Sequence, residues 1–364
     1  MNIFVGRTVV WIGLSLLLGL LMGTIFPDWV NHLWSIKFVH GSYINFPITI
    51  LVWLMINPTM IRLDLRSIRA VGHCLRAFVV TAAMGGLVKP LVMALLAWFF
   101  FEYLLLPMNS PEFASQYIAG LIVLAAAPGP AILSFWDQLK DGGRDYVQAQ
   151  ILFNALLVLV VFAPVIGLLV PRASGLHISF EVLFYLAMLF VGIPFLSASI
   201  SRVILVRRKG LEWFNHKFMP LCERVGLVAL VGTLGLILSY QADHIMEHGL
   251  QPLMIVISTI LQFIFVLFLG YGLMKLLRVE HGMAAIGALT GASNFFEVSV
   301  ATVIAVFGAE SPAALAVIVW VFVEGPVVLF SRRFFVTTRE RFERSQGAGP
   351  VPAMNPEIAE GPWP

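Results

Sequence analysis

The chain has 364 residues, of which 59% are hydrophobic and only 12% charged, and its mean hydropathy is +0.91. A soluble domain carries about 25% charged residues, so the composition excludes a soluble globular protein and points to one polytopic unit solvated by a bilayer. The net charge of +3 says little as a total, and two cysteines, Cys74 and Cys222, supply neither a disulfide framework nor metal-site spacing.

Ten apolar stretches are long enough to cross about 30 Å of hydrocarbon. They cover 8–26, 43–61, 78–106, 114–139, 146–170, 180–203, 223–241, 252–277, 282–308 and 312–331. The first lacks the small-residue cleavage site of a signal peptide and reads as a span. The third carries Gly85-Gly86 and Lys89-Pro90, and the sixth carries Gly192 and Pro194, so both are expected to bend. The fourth is interrupted by Ala127-Pro128-Gly129-Pro130; two prolines around a glycine break a helix. The ninth is interrupted by Gly291-Ala292-Ser293-Asn294. Beyond about Arg344 the chain loses apolar periodicity, and residues 341–364 read as a disordered cytosolic tail after a membrane domain at 1–340.

Basic residues set the orientation. With the N-terminus inside, 20 of the 23 lysines and arginines fall on cytosolic segments, Lys37 and Arg172 fall outside, and Lys89 lies within a span. That asymmetry predicts both termini in the cytosol of a multi-pass protein of the cell inner (plasma) membrane. Ten spans divide into five and five, about 1–172 and 173–340. An odd number per half forces opposite topologies, so the fourth span corresponds to the ninth. The expected fold is therefore all-α, two inverted five-helix repeats in which broken helices 4 and 9 cross at mid-depth and form the site.

Ionisable groups at that depth cost at least about 2.5–3.5 kcal/mol each and mark function. Glu297, directly after the break in span 9, is the expected carrier of a coupling ion, and Lys89 is a candidate ion-coupling residue whose possible partners are Glu297 and Glu324. Glu324, in Val323-Glu324-Gly325-Pro326, is a second intramembrane carboxylate. Pro128, Gly129, Pro130, Asn154, Ser293, Asn294 and Glu324 are the candidate substrate residues: freed backbone and neutral oxygens where helices are broken. Helix–helix hydrogen bonding and snorkelling are the competing readings for Asn154, Ser293, Asn294 and Lys89. Asp137, Asp141 and Asp145 recur every fourth residue, but a diphosphate-handling enzyme needs a second such cluster, so they read as a solvated helix end. Gly85-Gly86 and Gly270-Tyr271-Gly272 follow no strand and read as close-packing surfaces. No P-loop, cofactor motif or metal site is recognised.

Several of these segments resemble the arsenite efflux permease family of the bile acid/arsenite/riboflavin transporter superfamily. The matches are Gly291-Ala-Ser-Asn-Phe-Phe-Glu297, Ala313-Ala-Leu-Ala316, Val323-Glu324-Gly-Pro326, Ala127-Pro128, Phe135-Trp136 with Asp141-Gly142, Asn154 with Phe162-Ala163-Pro164, and Lys209-Gly210-Leu211-Glu212-Trp213-Phe214. They span roughly 8–340 in order. The resemblance implies crossed helices 4 and 9 and secondary-active efflux of trivalent arsenic or antimony oxyacids against protons. One departure concerns the substrate: the family places a cysteine after the Ala-Pro of helix 4, and here that position is Gly129. Restoring a thiol there is expected to improve arsenite export. A lost thiol with a gained Lys89 also points toward an anion such as arsenate, an organoarsenical or an organic acid.

The expected function is thus a cation (proton) antiporter for a small inorganic or organic oxyacid or oxyanion, with no nucleic-acid partner and no enzymatic activity. The alternative within transport is a sodium- or proton-coupled organic anion carrier of the bile acid type. A membrane solute sensor and an intramembrane enzyme are the alternatives of other classes. The number of chains in the working unit has no sequence signature here.

Overall fold

A computed structural model describes residues 46–63, 65–68, 74–104, 110–129, 144–247 and 250–345, together with positions 13, 17, 19, 21 and 25. Pro130, Asp137 and Asp141 lie outside these residues, as does everything after residue 345. Among the described residues all regular structure is helical, and the one β-type contact is an isolated bridge.

In chain order the helices are α1 (Phe46–Arg62), α2 (Leu75–Leu104), α3 (Pro111–Ala126), α4 (Arg144–Ser174), α5 (Phe180–Lys209), α6 (Leu211–Gln241, with backbone continuing to Glu247), α7 (Leu250–Leu276), α8 (His281–Ala292), α9 (Phe296–Phe307) and α10 (Pro312–Arg344). Six of them are long and apolar enough to cross a membrane, and α1, α3 and α9 are shorter apolar helices. Local sequence explains their ends. Ser110 and Ser311 cap α3 and α10 by accepting from Phe113 and Ala314 N–H, each followed by a proline whose missing N–H is no loss there. Gly210 and Gly308 follow α5 and α9 with φ of +86° and +89°, a conformation that glycine adopts without a Cβ penalty.

In the third and sixth spans, where bends are expected, the helices carry π-turns. Met84–Val88 precedes Lys89-Pro90 in α2, and Met188–Gly192 precedes Pro194 in α5. Proline withholds a donor from the turn before it, and a π-turn re-registers the hydrogen bonds without ending the helix. The final helix runs past the expected end of its span at 331 to Arg344. Ion pairs Arg339–Glu343 and Glu340–Arg344 lace that extension, while Phe342 is buried against Tyr271 and His281.

The broken helices form the centre. Apart from Met283, α8 is buried throughout; so is α3 from Tyr117 on and α10 from Pro312 to Val321. Gly120 of α3 lets the Ala313 backbone approach so closely that a Cβ would stand 2.5 Å from the Ala313 carbonyl oxygen. Leu95, Val160 and Val228, by contrast, turn two-thirds or more of their surface outward, an apolar belt suited to lipid. The irregular backbone is therefore shielded by protein, the condition under which it is tolerated at membrane depth.

Candidate substrate and ion site at the helix crossing

The two interruptions meet. At the end of α3, Ala127 and Pro128 are extended, and at the end of α8, Ser293 and Asn294 are extended alongside them in antiparallel sense. Phe295 N–H donates to the Ala127 carbonyl at 3.0 Å, and Gly129 N–H donates to the Ser293 carbonyl at 3.1 Å. The breaks thus satisfy each other's backbone, which would otherwise be stranded in a dry interior. Gly85 of α2 sits against this crossing, its absent Cβ pointing at Pro128 and the Gly291 carbonyl, and Thr81 Oγ1 donates to the Gly287 carbonyl at 3.3 Å.

One turn beyond Gly85, on the same face of α2, Lys89 is completely buried. Its Nζ donates to the Ser293 carbonyl at 2.6 Å and to the Ala127 carbonyl at 3.2 Å. No carboxylate among the described residues forms an ion pair with it. Lys89 therefore has no direct contact with either expected acid, Glu297 or Glu324; its partners are main-chain oxygens. They belong to the cap residues of α3 and α8, where each helix dipole presents about half a negative charge.

A polar chain reaches the crossing from α4. Gln150 Nε2 donates to Asn154 Oδ1 at 3.4 Å, and Asn154 Nδ2 donates to the Gly129 carbonyl at 3.0 Å. Gln150 has no place among the sequence candidates, yet its position four residues before Asn154 on a helix is a legible signal. Ser293 Oγ and both amide atoms of Asn294 are buried with no hydrogen-bond partner. Glu297 stands half-buried in the first turn of α9, where the helix dipole favours negative charge. Glu324 of α10 is also half-buried and lies near enough for the two carboxylates to feel each other's charge.

Comparison with known proteins adds the following. The family model for the sodium bile acid symporter family matches residues 49–248, more than half of the chain. The arsenical-resistance protein Acr3 of Alkaliphilus metalliredigens is 33% identical over 333 residues, which is 92% of each chain. An uncharacterized transporter of Synechocystis is 30% identical over 90% of this chain and 87% of its own length. Acr3 of Corynebacterium glutamicum is 26% identical over 88% and 85%. The chain belongs to the arsenical-resistance branch of the sodium bile acid symporter family. It is a multi-pass membrane protein, and its relatives are transporters rather than enzymes.

For a member of this family, position 129 has an unexpected geometry. A Cβ added to Gly129 would stand 2.5 Å from the Asn294 carbonyl oxygen, 2.6 Å from its carbon and 3.1 Å from Phe295 N. All three are backbone atoms of the facing break. A cysteine here could serve export only if the two breaks first part to make room for its Cβ. Neither existing thiol substitutes. Cys74 Sγ contacts Met283 Sδ at 3.1 Å, ten residues before Ser293 and so about 15 Å away along α8. Cys222 lies half-buried about three turns into α6.

Proposed function

We propose that this protein is a proton-coupled antiporter that expels an oxygen-bearing arsenical across the plasma membrane, both termini cytosolic, on two inverted five-helix repeats. The observation that carries this reading is the set of unpartnered buried polar atoms at the crossing: Ser293 Oγ and the amide of Asn294. Leaving such atoms unsatisfied costs about 1–3 kcal/mol apiece. A ligand rich in hydroxyl or oxo groups would satisfy them. Lys89 uses two of its three N–H donors on carbonyls, leaving one for an anionic oxygen. Recognition is then by hydrogen bonds and charge, with Asn154 steadying the Gly129 carbonyl, and needs no thiolate.

In this scheme Glu297 carries the proton. Its place in the first turn of the half-helix that follows the crossing makes substrate binding and proton release neighbouring events, and Glu324 shares the second charge of the pair. The test is uptake into everted membrane vesicles with an imposed pH gradient, offering arsenite, arsenate and methylarsonate in separate arms. Gradient-driven uptake of at least one supports the proposal. Uptake indifferent to the gradient refutes proton antiport, and no uptake of any of the three refutes the substrate class. Reporter fusions that place either terminus outside would refute the topology.

A further inference from the structure

We propose that the Lys89 ammonium is a tethered replacement for a free coupling cation, and that removing it creates, at the crossing of α3 and α8, a site for an alkali cation or a small primary ammonium ion. In dry transporter cores, unwound carbonyls at half-helix C-termini are what hold such ions. Here two C-termini converge on one point. Ala127 and Ser293 each spend one carbonyl lone pair on a backbone N–H of the facing break, and each offers the second to Nζ. Two helix ends of about half a negative charge sum to about one. A single monovalent cation balances that, and the lysine provides it without any acid partner among the described residues. Ser293 Oγ and Asn294 Oδ1, on adjacent residues of the break that follows α8 and unpartnered, are further oxygens that an alkali ion could use once the ammonium is gone.

The stem is built to deliver the charge. Lys89 follows immediately on the π-turn Met84–Val88, and Gly85 presses α2 onto the break, so the ammonium reaches the carbonyls from complete burial rather than snorkelling to water. Since the lysine already stands between these carbonyls, sodium has no role at this point of the wild-type protein. This deepens the transporter reading by assigning coupling to the carboxylates alone. The experiment below measures folding stability without any substrate, so it can fail independently of that reading.

The experiment measures thermal unfolding of the full-length protein in detergent, in sodium, potassium or choline chloride at equal ionic strength, and with added ethylammonium. Wild type is expected to melt at one temperature in all of them. Lys89→Ala is expected to melt several degrees lower in choline and to recover in sodium or ethylammonium. Lys89→Met, which fills the stem volume without charge, is expected to melt low and not to recover. A wild-type protein specifically stabilised by sodium over choline overturns the proposal. So does Lys89→Ala that is as stable as wild type, or that no cation restores. If Lys89→Ala does not accumulate, the wild-type comparison decides alone.

Discussion

Gly129→Ala is the smallest perturbation that tests the geometry of the crossing. The added methyl would lie 2.5 Å from the Asn294 carbonyl oxygen and 2.6 Å from its carbon. Ordinary contact begins near 3.5 Å, so the two breaks must separate by about 1 Å. Neither side can yield cheaply, because both are main chain held by reciprocal hydrogen bonds at 3.0 and 3.1 Å. Overpacking alone costs about 1–3 kcal/mol, and stretching two backbone hydrogen bonds in a dry interior adds about 1 kcal/mol or more for each. The expected loss is therefore about 3–5 kcal/mol, together with loss of transport. Gly129→Cys should lose about as much, since its Cβ meets the same atoms and its sulfur adds volume. The assay is thermal unfolding of the purified protein, run beside the vesicle uptake measurement. If Gly129→Cys melts like wild type and exports arsenite better, the crossing can open to admit a thiol, and the reasoning from its closeness is wrong.

Glu297→Gln should abolish pH-gradient-driven uptake while membrane insertion and melting stay near wild type, because a neutral amide is easier to bury than a charge; wild-type flux with unchanged pH dependence would make Glu297 structural. Ser293→Ala and Asn294→Ala remove atoms that have no partner, so each should leave the melting temperature level or slightly higher while weakening uptake at least tenfold. A stability loss with normal uptake would make them structural instead. Asn154→Leu should lower stability by about 1–3 kcal/mol, because it strands the buried Gly129 carbonyl and the Gln150 amide, and a melting curve like wild type would contradict the clamp drawn from α4.

What is legible in the sequence follows from which chemistry carries a signal there. Helices showed as apolar stretches, and the breaks showed because proline, glycine and asparagine disrupt helices in known ways. Glu297, Glu324 and Lys89 stood out because charge is rare at membrane depth. The partners of Lys89 had no such signal. They are carbonyls of Ala127 and Ser293, and every residue has a carbonyl; only the crossing singles out these two. Likewise Gly129 looked like a missing thiol, when its neighbour is the Asn294 backbone, which no side-chain pattern reports. The extension of α10 to Arg344 was hidden for another reason: its apolar stripe narrows to an amphipathic face, where Phe335 and Phe342 are buried and Arg333 and Arg344 stay in solvent.

The absent thiol and the buried lysine are two sides of one arrangement. An ammonium can serve both Ala127 and Ser293 only if their carbonyls lie within reach of a single nitrogen, here 3.2 and 2.6 Å. That closeness depends on the antiparallel pairing of the two breaks, and the pairing leaves no volume for a side chain at 129. A bulkier residue there would part the strands, move the carbonyls away from Nζ, and leave a buried charge without compensation, one of the costlier defects a membrane core can carry. Conversely, without a cation at that point the two helix ends would repel across the crossing. A small residue at 129 and a cation at 89 therefore favour each other. With two of its three N–H donors spent on these carbonyls, Lys89 keeps one for an anionic oxygen, and the oxygen-bearing ligand proposed above is the kind that this combination suits.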